Sequence, residues 1–171
     1  MSNSTESRAT PLLETGLNAL ETTREFTMGL IEPITQEQML TRACPKANHT
    51  AYVLGHIAQT DDFFLSALGG REPALPESWG AKFGMNIELS DDPSFYPSKK
   101  ELVDAMVERR AALIDWLCSL SEAELLEPIE GDLAGFARTR AALPGTLAFH
   151  EGFHAGQVST TRRALGIEVM F

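Results

Sequence analysis

The chain has 171 residues, a formal net charge of −10 at pH 7 and 43% hydrophobic residues. A chain of this length buries roughly 70% of its unfolded surface, which suits one compact domain, and the composition excludes a collagen-like, low-complexity or largely disordered protein. The negative charge repels a phosphate backbone, so we expect no nucleic-acid partner.

No apolar run approaches the ~18 residues that a membrane span needs, and residues 1–6 lack the basic and apolar regions of a signal peptide. We therefore expect a cytoplasmic protein without a membrane partner. Residues 1–10 have the composition of a disordered tail, which leaves residues 11–171 as the single predicted domain. Cys44 and Cys118 lie far apart and are expected to be reduced.

Apolar residues recur three and four positions apart along the chain, a pattern that predicts helices rather than strands. The first predicted helix runs from Pro11, which suits a first helical turn, to Ile31, and Pro33 closes it. The second runs from Asn48, a suitable N-cap, to Leu68.

The third predicted helix begins at Ser98, which has capping-box spacing to Glu101, and a second box at residues 121–124 predicts a short helical turn. The fourth covers residues 139–165 and ends at Gly166. Four such helices, each with one apolar stripe, predict an all-α protein with a four-helix bundle.

The connection between the second and third helices, residues 69–97, contains four prolines and is predicted to be neither a helix nor a tight turn. At ~3.3 Å per extended residue it can return the chain to the start of the second helix, which predicts an up-down-down-up order. Its aromatic residues give it enough apolar surface to pack as a lid over the bundle; they are Trp79, Phe83, Phe95 and Tyr96.

The histidines suggest a metal site. His150 and His154 lie one turn apart on the core stripe of the fourth helix, where two buried imidazoles each need partners for both ring nitrogens. A metal ion supplies that partner, and His56, near the middle of the second helix, is a third inward candidate. His49 lies two turns, about 10 Å, from His56 and is expected to have a surface or capping role.

Residues 150–154 also read as H-E-x-x-H, the zinc peptidase motif in which the glutamate is the general base. The usual downstream third ligand is missing, because Gln157 and Thr160 stand where the longer motif has Gly and His. No predicted sheet is present to align a peptide, so the peptidase interpretation is disfavoured. A di-iron site lacks ligands, since only His154 has a glutamate three positions earlier.

Several arginines and lysines fall on predicted helix surfaces. Arg24 and Arg110 lie on inner stripes, where they either bind a substrate carboxylate or extend their charge to solvent at the stripe edge. Three basic pairs are expected on solvated faces: Lys99–Lys100, Arg109–Arg110 and Arg162–Arg163.

Three stretches of the sequence resemble one known family. They are Leu54-Gly55-His56-Ile57-Ala58; the connection with Trp79-Gly80-Ala81-Lys82-Phe83-Gly84 and Tyr96-Pro97-Ser98; and His150-x-x-x-His154-Ala155-Gly156-Gln157-Val158 followed by Arg162-Arg163-Ala164-Leu165-Gly166. Over about residues 11–168 the chain resembles the DinB/YfiT superfamily. The resemblance implies a left-handed up-down-down-up four-helix bundle, usually a homodimer, with one divalent ion, zinc or nickel, on His56, His150 and His154.

Relatives in that family include thiol transferases that use bacillithiol or glutathione and a mycothiol-dependent maleylpyruvate isomerase. Our leading hypothesis is therefore a thiol-dependent S-transferase acting on small electrophiles, in which a low-molecular-weight thiol binds the open metal position as its thiolate. A hydrolase using bound hydroxide and a non-catalytic metal-binding bundle are the alternatives. Gln157 is a candidate partner for a ligating ring or a packing amide, and Glu151 is a candidate base.

Overall fold

The structure is a computed structural model and describes residues 10–168. Within that range the chain is helical, and its β-structure is limited to one isolated bridge between Pro128 and Thr139. The α-helices in chain order are α1 (Pro11–Ile31), α2 (Thr50–Gly69), α3 (Ser78–Phe83), α4 (Lys99–Ser119), α5 (Glu122–Leu126) and α6 (Leu143–Ala164). The predicted all-α class is confirmed, and the predicted tail lies outside the described residues except for Thr10.

The helix ends follow local sequence signals, with two corrections. Ser98 caps α4 in the predicted capping box. The N-cap of α2 is His49 and not Asn48, because the Tyr52 N–H donates to His49 Nδ1 at 3.0 Å. The start of α6 was predicted four residues too early, since residues 140–142 form a separate 3₁₀ turn that Thr139 caps.

The four long helices pack in two pairs, α1 with α6 and α2 with α4. Both pairs run parallel: Arg24 and Gly29 of α1 contact Glu151 and Arg162 of α6 in that order, and residues 61–69 of α2 contact residues 110–116 of α4 in the same sense. The handedness of the bundle stays a prediction, as does the up-down-down-up order as a whole. Among the described residues we find no helix with the length and apolarity to cross a membrane.

The core consists of two apolar clusters with a polar layer between them. One cluster contains Leu30, Ala58, Met106 and Ala155, and the other contains Leu20, Phe64, Leu113 and Ala148. Along their helices, Arg24, Asp61, Arg110 and Glu151 each lie between residues of these two clusters, as do His150 and His154, whereas His56 lies among residues of the first cluster. The bundle therefore places its buried charges at mid-height, with the imidazoles beside them.

The connection between α2 and α4 is more ordered than predicted, because it contains the short helix α3. Trp79, Phe83 and Tyr96 are buried in the same apolar cluster as the first half of α2. Phe83 lies so close to Gly55 that a Cβ there would meet its ring at 2.2 Å. Gly55 is therefore required for the connection to pack against α2 beside His56.

In two of the basic pairs one arginine is buried and does not lie on a solvated face, whereas Arg163 is exposed as predicted. Arg110 is 5% exposed and Arg162 is 7% exposed. Arg162 donates to the Gly29 carbonyl at 3.2 Å and to the Glu168 carbonyl at 2.6 Å, so it ties the end of α6 to α1 and to the segment after α6. The prediction was wrong for these two arginines because an arginine stem packs in an apolar layer when its guanidinium finds buried acceptors.

Candidate metal centre

Three histidines converge between α2 and α6. The Nε2 atom of His150 lies 3.2 Å from His56 Nε2 and 3.2 Å from His154 Nε2. The three ligand atoms all lie within 4.8 Å of one another. The structure thus brings together the three histidines that their spacing and depth predicted, and within residues 10–168 no carboxylate or thiol joins the group.

The outer nitrogens of two rings are fixed by acceptors. His56 Nδ1 lies 2.8 Å from the Phe83 carbonyl, which can only accept, so Nδ1 carries the proton. His154 Nδ1 lies 3.0 Å from Gln157 Oε1, and Asn48 Nδ2 donates to the same oxygen at 3.2 Å. Both rings therefore direct an unprotonated Nε2 into the cluster, and Gln157 occupies the ring-orienting position proposed for it.

The three inner nitrogens cannot satisfy one another in the neutral state. His150 Nε2 can donate a proton to His56 or to His154, but not to both. In at least one of these two contacts, therefore, the lone pairs of two nitrogens face each other without a proton between them. A cation at the centre would accept all three lone pairs. Two nitrogens bound to zinc at 2.0–2.1 Å and a tetrahedral angle lie ~3.3 Å apart, close to the 3.2 Å separations here.

The environment keeps these imidazoles neutral. Burial, with the repulsion that His154 and His56 exert when they are protonated, lowers the pKa of His150 to about 4. Burial also lowers the pKa of His56, against the hydrogen bond to Phe83, and that of His154, against the hydrogen bond to Gln157. At pH 7 all three rings are in the deprotonated form that binds metal.

Aromatic rings surround the cluster and leave one side open. Tyr52 stacks on His56 with 5.4 Å between ring centroids, and Phe136 lies 6.0 Å from His150. Phe153, which is 61% exposed, lies 5.5 Å from His154. His56 and His154 are buried whereas His150 is half-buried, so the cluster opens to solvent beside His150.

A second buried polar group lies next to the histidines, and we call its four side chains the buried tetrad: Arg24, Asp61, Arg110 and Glu151. Asp61 and Glu151 are 0% exposed. Arg24 Nε and Nη2 donate to the Glu151 carboxylate at 2.8 and 3.1 Å. Arg110 Nε and Nη2 donate to Asp61 at 2.8 and 3.1 Å, and Arg110 Nη2 also contacts Glu151 at 2.9 Å.

These contacts replace two sequence-based interpretations. Arg24 and Arg110 neither extend to solvent nor await a substrate carboxylate, because the protein supplies the carboxylates itself. Glu151, the candidate base, has both oxygens engaged by guanidinium groups. It turns away from the histidine cluster into the charge layer, as its position one residue beyond His150 allows.

The charges of the tetrad stabilise one another. Burial alone would raise the pKa of Glu151, but the hydrogen bond and charge of Arg24 and the charge of Arg110 outweigh it and lower that pKa. Burial alone would lower the pKa of Arg110, but the charges of Asp61 and Glu151 raise it. Burial raises the pKa of Asp61 against the charge of Arg110; its two short contacts with that guanidinium mark it as ionised.

Asp61 was not identified from the sequence, and for His49 the capping role was predicted but not the burial. The available signal for Asp61 was a pair of aspartates, Asp61 and Asp62, in an otherwise apolar helix. His49 caps α2, as one of its two expected roles, but it is 0% exposed and not at the surface. Its ring packs edge-on against Tyr96 of the connection at 4.8 Å, which explains the burial.

Comparisons with known proteins agree with this architecture. A family model described as the DinB superfamily matches residues 19–158. Among solved structures, the crystal structure of a conserved protein from Enterococcus faecalis is similar, with 21% sequence identity and a TM-score of 0.68, over 90% of this chain and 96% of that one. At that identity the likeness shows a shared fold. A search of curated proteins found no match.

Proposed function

The chain belongs to the DinB superfamily, and from that premise we propose that it is a metal-dependent enzyme that holds one divalent ion through His56, His150 and His154. The observation that carries the proposal is the set of three Nε2 atoms that face one another and share at most one proton. Imidazole ligands suit zinc and nickel, and three protein ligands leave a position for a substrate atom.

The protein's own residues prepare this site. The Phe83 carbonyl and Gln157 Oε1 hold two of the rings in the tautomer that directs Nε2 inward and raise the basicity of those rings. The connection packs Phe83 and Tyr96 against the first half of α2 and so covers the cluster on the side of His56. When bound there, a divalent ion supplies a Lewis acid that lowers the pKa of a thiol or water ligand.

The reaction that we propose is transfer of a low-molecular-weight thiol to a small electrophile. A peptidase-like hydrolase needs a carboxylate base beside its nucleophile, and Glu151 is instead committed to two arginines. A thiol, with a pKa near 8.5, ionises close to neutrality without such a base. Its proton passes to solvent at the opening, and its sulfur forms the new bond to the electrophile, with Phe136 and Phe153 as apolar walls. The electrophile in turn loses a leaving group with its bonding electron pair or, where it is an activated alkene, its π electron pair takes up a proton from solvent.

Metal content tests the first part of the proposal. The purified protein should bind one zinc or nickel ion per chain, whereas a His150→Ala/His154→Ala variant should bind none. His49→Asn is the matched control, since it removes a buried histidine outside the cluster and should keep full stoichiometry. An unchanged metal content in the double variant would reject the site.

A thiol panel tests the reaction. Metal-loaded protein should accelerate the consumption of glutathione, bacillithiol or mycothiol by a model electrophile, and a chelator should abolish that acceleration. If ester hydrolysis is accelerated and thiol consumption is not, the enzyme is a hydrolase. If neither is accelerated while metal binds with full stoichiometry, the protein is a non-catalytic metal-binding bundle.

We also propose that the protein forms a homodimer, as its family membership implies. Phe149 on α6 is 75% exposed, a large apolar side chain of the kind that interfaces between copies cover. Sedimentation equilibrium should give twice the chain mass of 18.7 kDa. A single species at the chain mass over the whole concentration range would contradict the dimer.

A further inference from the structure

The buried tetrad has one member on each of the four long helices. Arg24 belongs to α1, Asp61 to α2, Arg110 to α4 and Glu151 to α6. Each side chain is buried or nearly so, with Arg24 the most accessible at 12%. The tetrad is therefore a network of ion pairs that joins all four long helices at one height of the bundle.

The two carboxylates of the tetrad lie on the two helices that carry the histidines. Arg110 reaches both, with contacts of 2.8 Å to Asp61 and 2.9 Å to Glu151. Arg24 also reaches both, at 2.8 Å to Glu151 and 3.7 Å to Asp61. Both guanidinium groups thus connect α2 to α6, although neither belongs to those helices.

The tetrad is adjacent to the histidines in sequence as well as in space. Asp61 follows His56 by about one and a half turns of α2, and Glu151 directly follows His150 on α6. On the other side of the cluster, Asn48 donates to Gln157 at 3.2 Å and connects the start of α2 to α6. The histidine cluster is therefore bracketed by two polar links between the same helices.

Stability alone does not account for such an arrangement. Removing charges from water costs free energy that their attraction often fails to return, and hydrophobic replacements of buried ion pairs are often neutral or stabilising. What a buried ion pair does provide is a fixed geometry, because in an apolar layer a guanidinium cannot leave its carboxylate for solvent. The tetrad thus fixes the rotation and axial position of α6 relative to α2.

We propose that the buried tetrad consists of positioning residues for the metal centre: it holds the two histidine-bearing helices at the separation and register that let the three Nε2 atoms meet. The inference rests on the metal site proposed above. It assigns to Arg24, Asp61, Arg110 and Glu151 a role that acts through His56 and the α6 histidines and involves no contact with substrate.

A pair of charge-balanced double variants tests the proposal. Asp61→Asn/Arg110→Met removes one anion and one cation at similar volume and leaves the Arg24–Glu151 contact in place. Asp62→Asn/Arg109→Met makes the same chemical changes one position away, where a 3.5 Å ion pair joins the same two helices, α2 and α4, without involving α6. Zinc affinity, the visible absorption spectrum of the cobalt-substituted protein and thermal stability are measured for both.

The first variant should lose zinc affinity by ~10-fold or more and show an altered cobalt spectrum, whereas the second should match the wild-type protein in both. If both variants lose thermal stability but keep wild-type affinity and spectrum, the tetrad is only structural and the proposal is wrong. If the first variant does not fold, the same measurements are made on Arg110→Lys. The lysine ammonium keeps the positive charge but lacks the planar fork of the guanidinium that bridges both carboxylates. Wild-type affinity and spectrum in Arg110→Lys would overturn the proposal.

This design separates the inference from the proposed function. If the wild-type protein binds neither zinc nor cobalt at the three histidines, the metal site itself is wrong. If the wild-type protein binds both ions and the tetrad variants bind them equally well, only the positioning role is wrong.

Discussion

The histidine cluster and the buried tetrad are neighbours in one polar layer, yet their electrostatics are opposite. The tetrad pairs two cations with two anions, and its carboxylates accept at 2.8–3.1 Å from four guanidinium nitrogens. The cluster holds three neutral rings whose inner nitrogens meet at 3.2 Å with one proton at most to share. The charges of the tetrad are balanced within the protein alone, although Arg110 Nη1 is buried without a hydrogen-bond partner. The lone pairs of the cluster are satisfied only with an added cation.

The comparison shows how burial distinguishes a structural polar group from a binding site. Buried polar atoms are normally satisfied, and a cluster of acceptors that cannot satisfy one another is an exception that needs a cause. Here the surrounding contacts, Phe83 to His56 and Gln157 to His154, direct the lone pairs inward and prevent a simple rearrangement. These two hydrogen bonds thus keep the inner nitrogens of His56 and His154 unprotonated.

The largest expected effect concerns the completeness of the tetrad. Glu151→Ala leaves Arg24 and Arg110 with a single carboxylate in an apolar layer and should cost about 3–5 kcal/mol of unfolding free energy in metal-free protein. Urea unfolding in the presence of a chelator measures this cost. Glu108→Ala, at a largely exposed position on α4, is the control and should change stability by less than about 0.5 kcal/mol. A loss below ~1 kcal/mol for Glu151→Ala would show that the tetrad charges are not paired as described.

The next largest effect concerns zinc binding at the histidine cluster, whose inner lone pairs do not all have a partner in the protein. Free zinc at 100 times its dissociation constant should stabilise the wild-type protein by about 2.7 kcal/mol, since it binds the folded state. The His150→Ala/His154→Ala variant should gain nothing at the same zinc concentration. Thermal unfolding with and without zinc measures this stabilisation. Equal stabilisation of both proteins would mean that zinc binds elsewhere.

Much of this layer could be predicted from the sequence, and the reason differs between its two parts. Histidines four residues apart on one helix must share a face, so His150 and His154 were identified from spacing alone, and depth along the second helix added His56. The ion-pair partners of Arg110, by contrast, depend on how the four helices pack, and no local sequence pattern specifies that packing. Asp61 was missed for the same reason.

The helix boundaries show the same division. Local rules predicted α1 from Pro11 to Ile31 and the start of α4 at the Ser98 cap, and the structure confirms both. The cap of α2 was predicted one residue early because Asn48 has the better intrinsic preference. In the folded protein Asn48 is used instead to hold Gln157, and the buried His49 caps the helix. Tertiary contacts overrode the local preference at the point where the chain builds its site.

A smaller effect should follow from loosening one ring of the cluster. Gln157→Leu removes the acceptor of His154 Nδ1 and should lower zinc affinity at least ~10-fold, which is about 1.4 kcal/mol. Gln157→Glu keeps an acceptor at that position and should retain or increase the affinity, as competition with a chromogenic chelator would show. Equal affinities for the Leu and Glu variants would mean that Gln157 is a packing amide with no influence on the ring.

The smallest effect separates His49 from the cluster by its acid dependence. Burial, together with the charge of Arg42, lowers the pKa of His49 to about 4 in the folded protein, against ~6.5 when unfolded. The unfolded chain therefore takes up the proton first, so stability falls as the pH drops from about 6.5 towards 4, by roughly 0.7 kcal/mol per neutral histidine between pH 7 and pH 6. His49→Asn keeps an N-cap acceptor for the Tyr52 N–H and removes the titration.

Urea unfolding of chelator-treated protein at pH 7 and pH 6 measures that difference. The His49→Asn variant should lose less stability over this interval than the wild-type protein, while the remaining acid dependence belongs to the three cluster rings, whose pKa values are also lowered. The same acid dependence in both proteins would mean that His49 takes up its proton as readily in the folded state as in the unfolded one. His49 would then be exposed to solvent, and only the cluster would remain as a set of histidines that the fold keeps neutral.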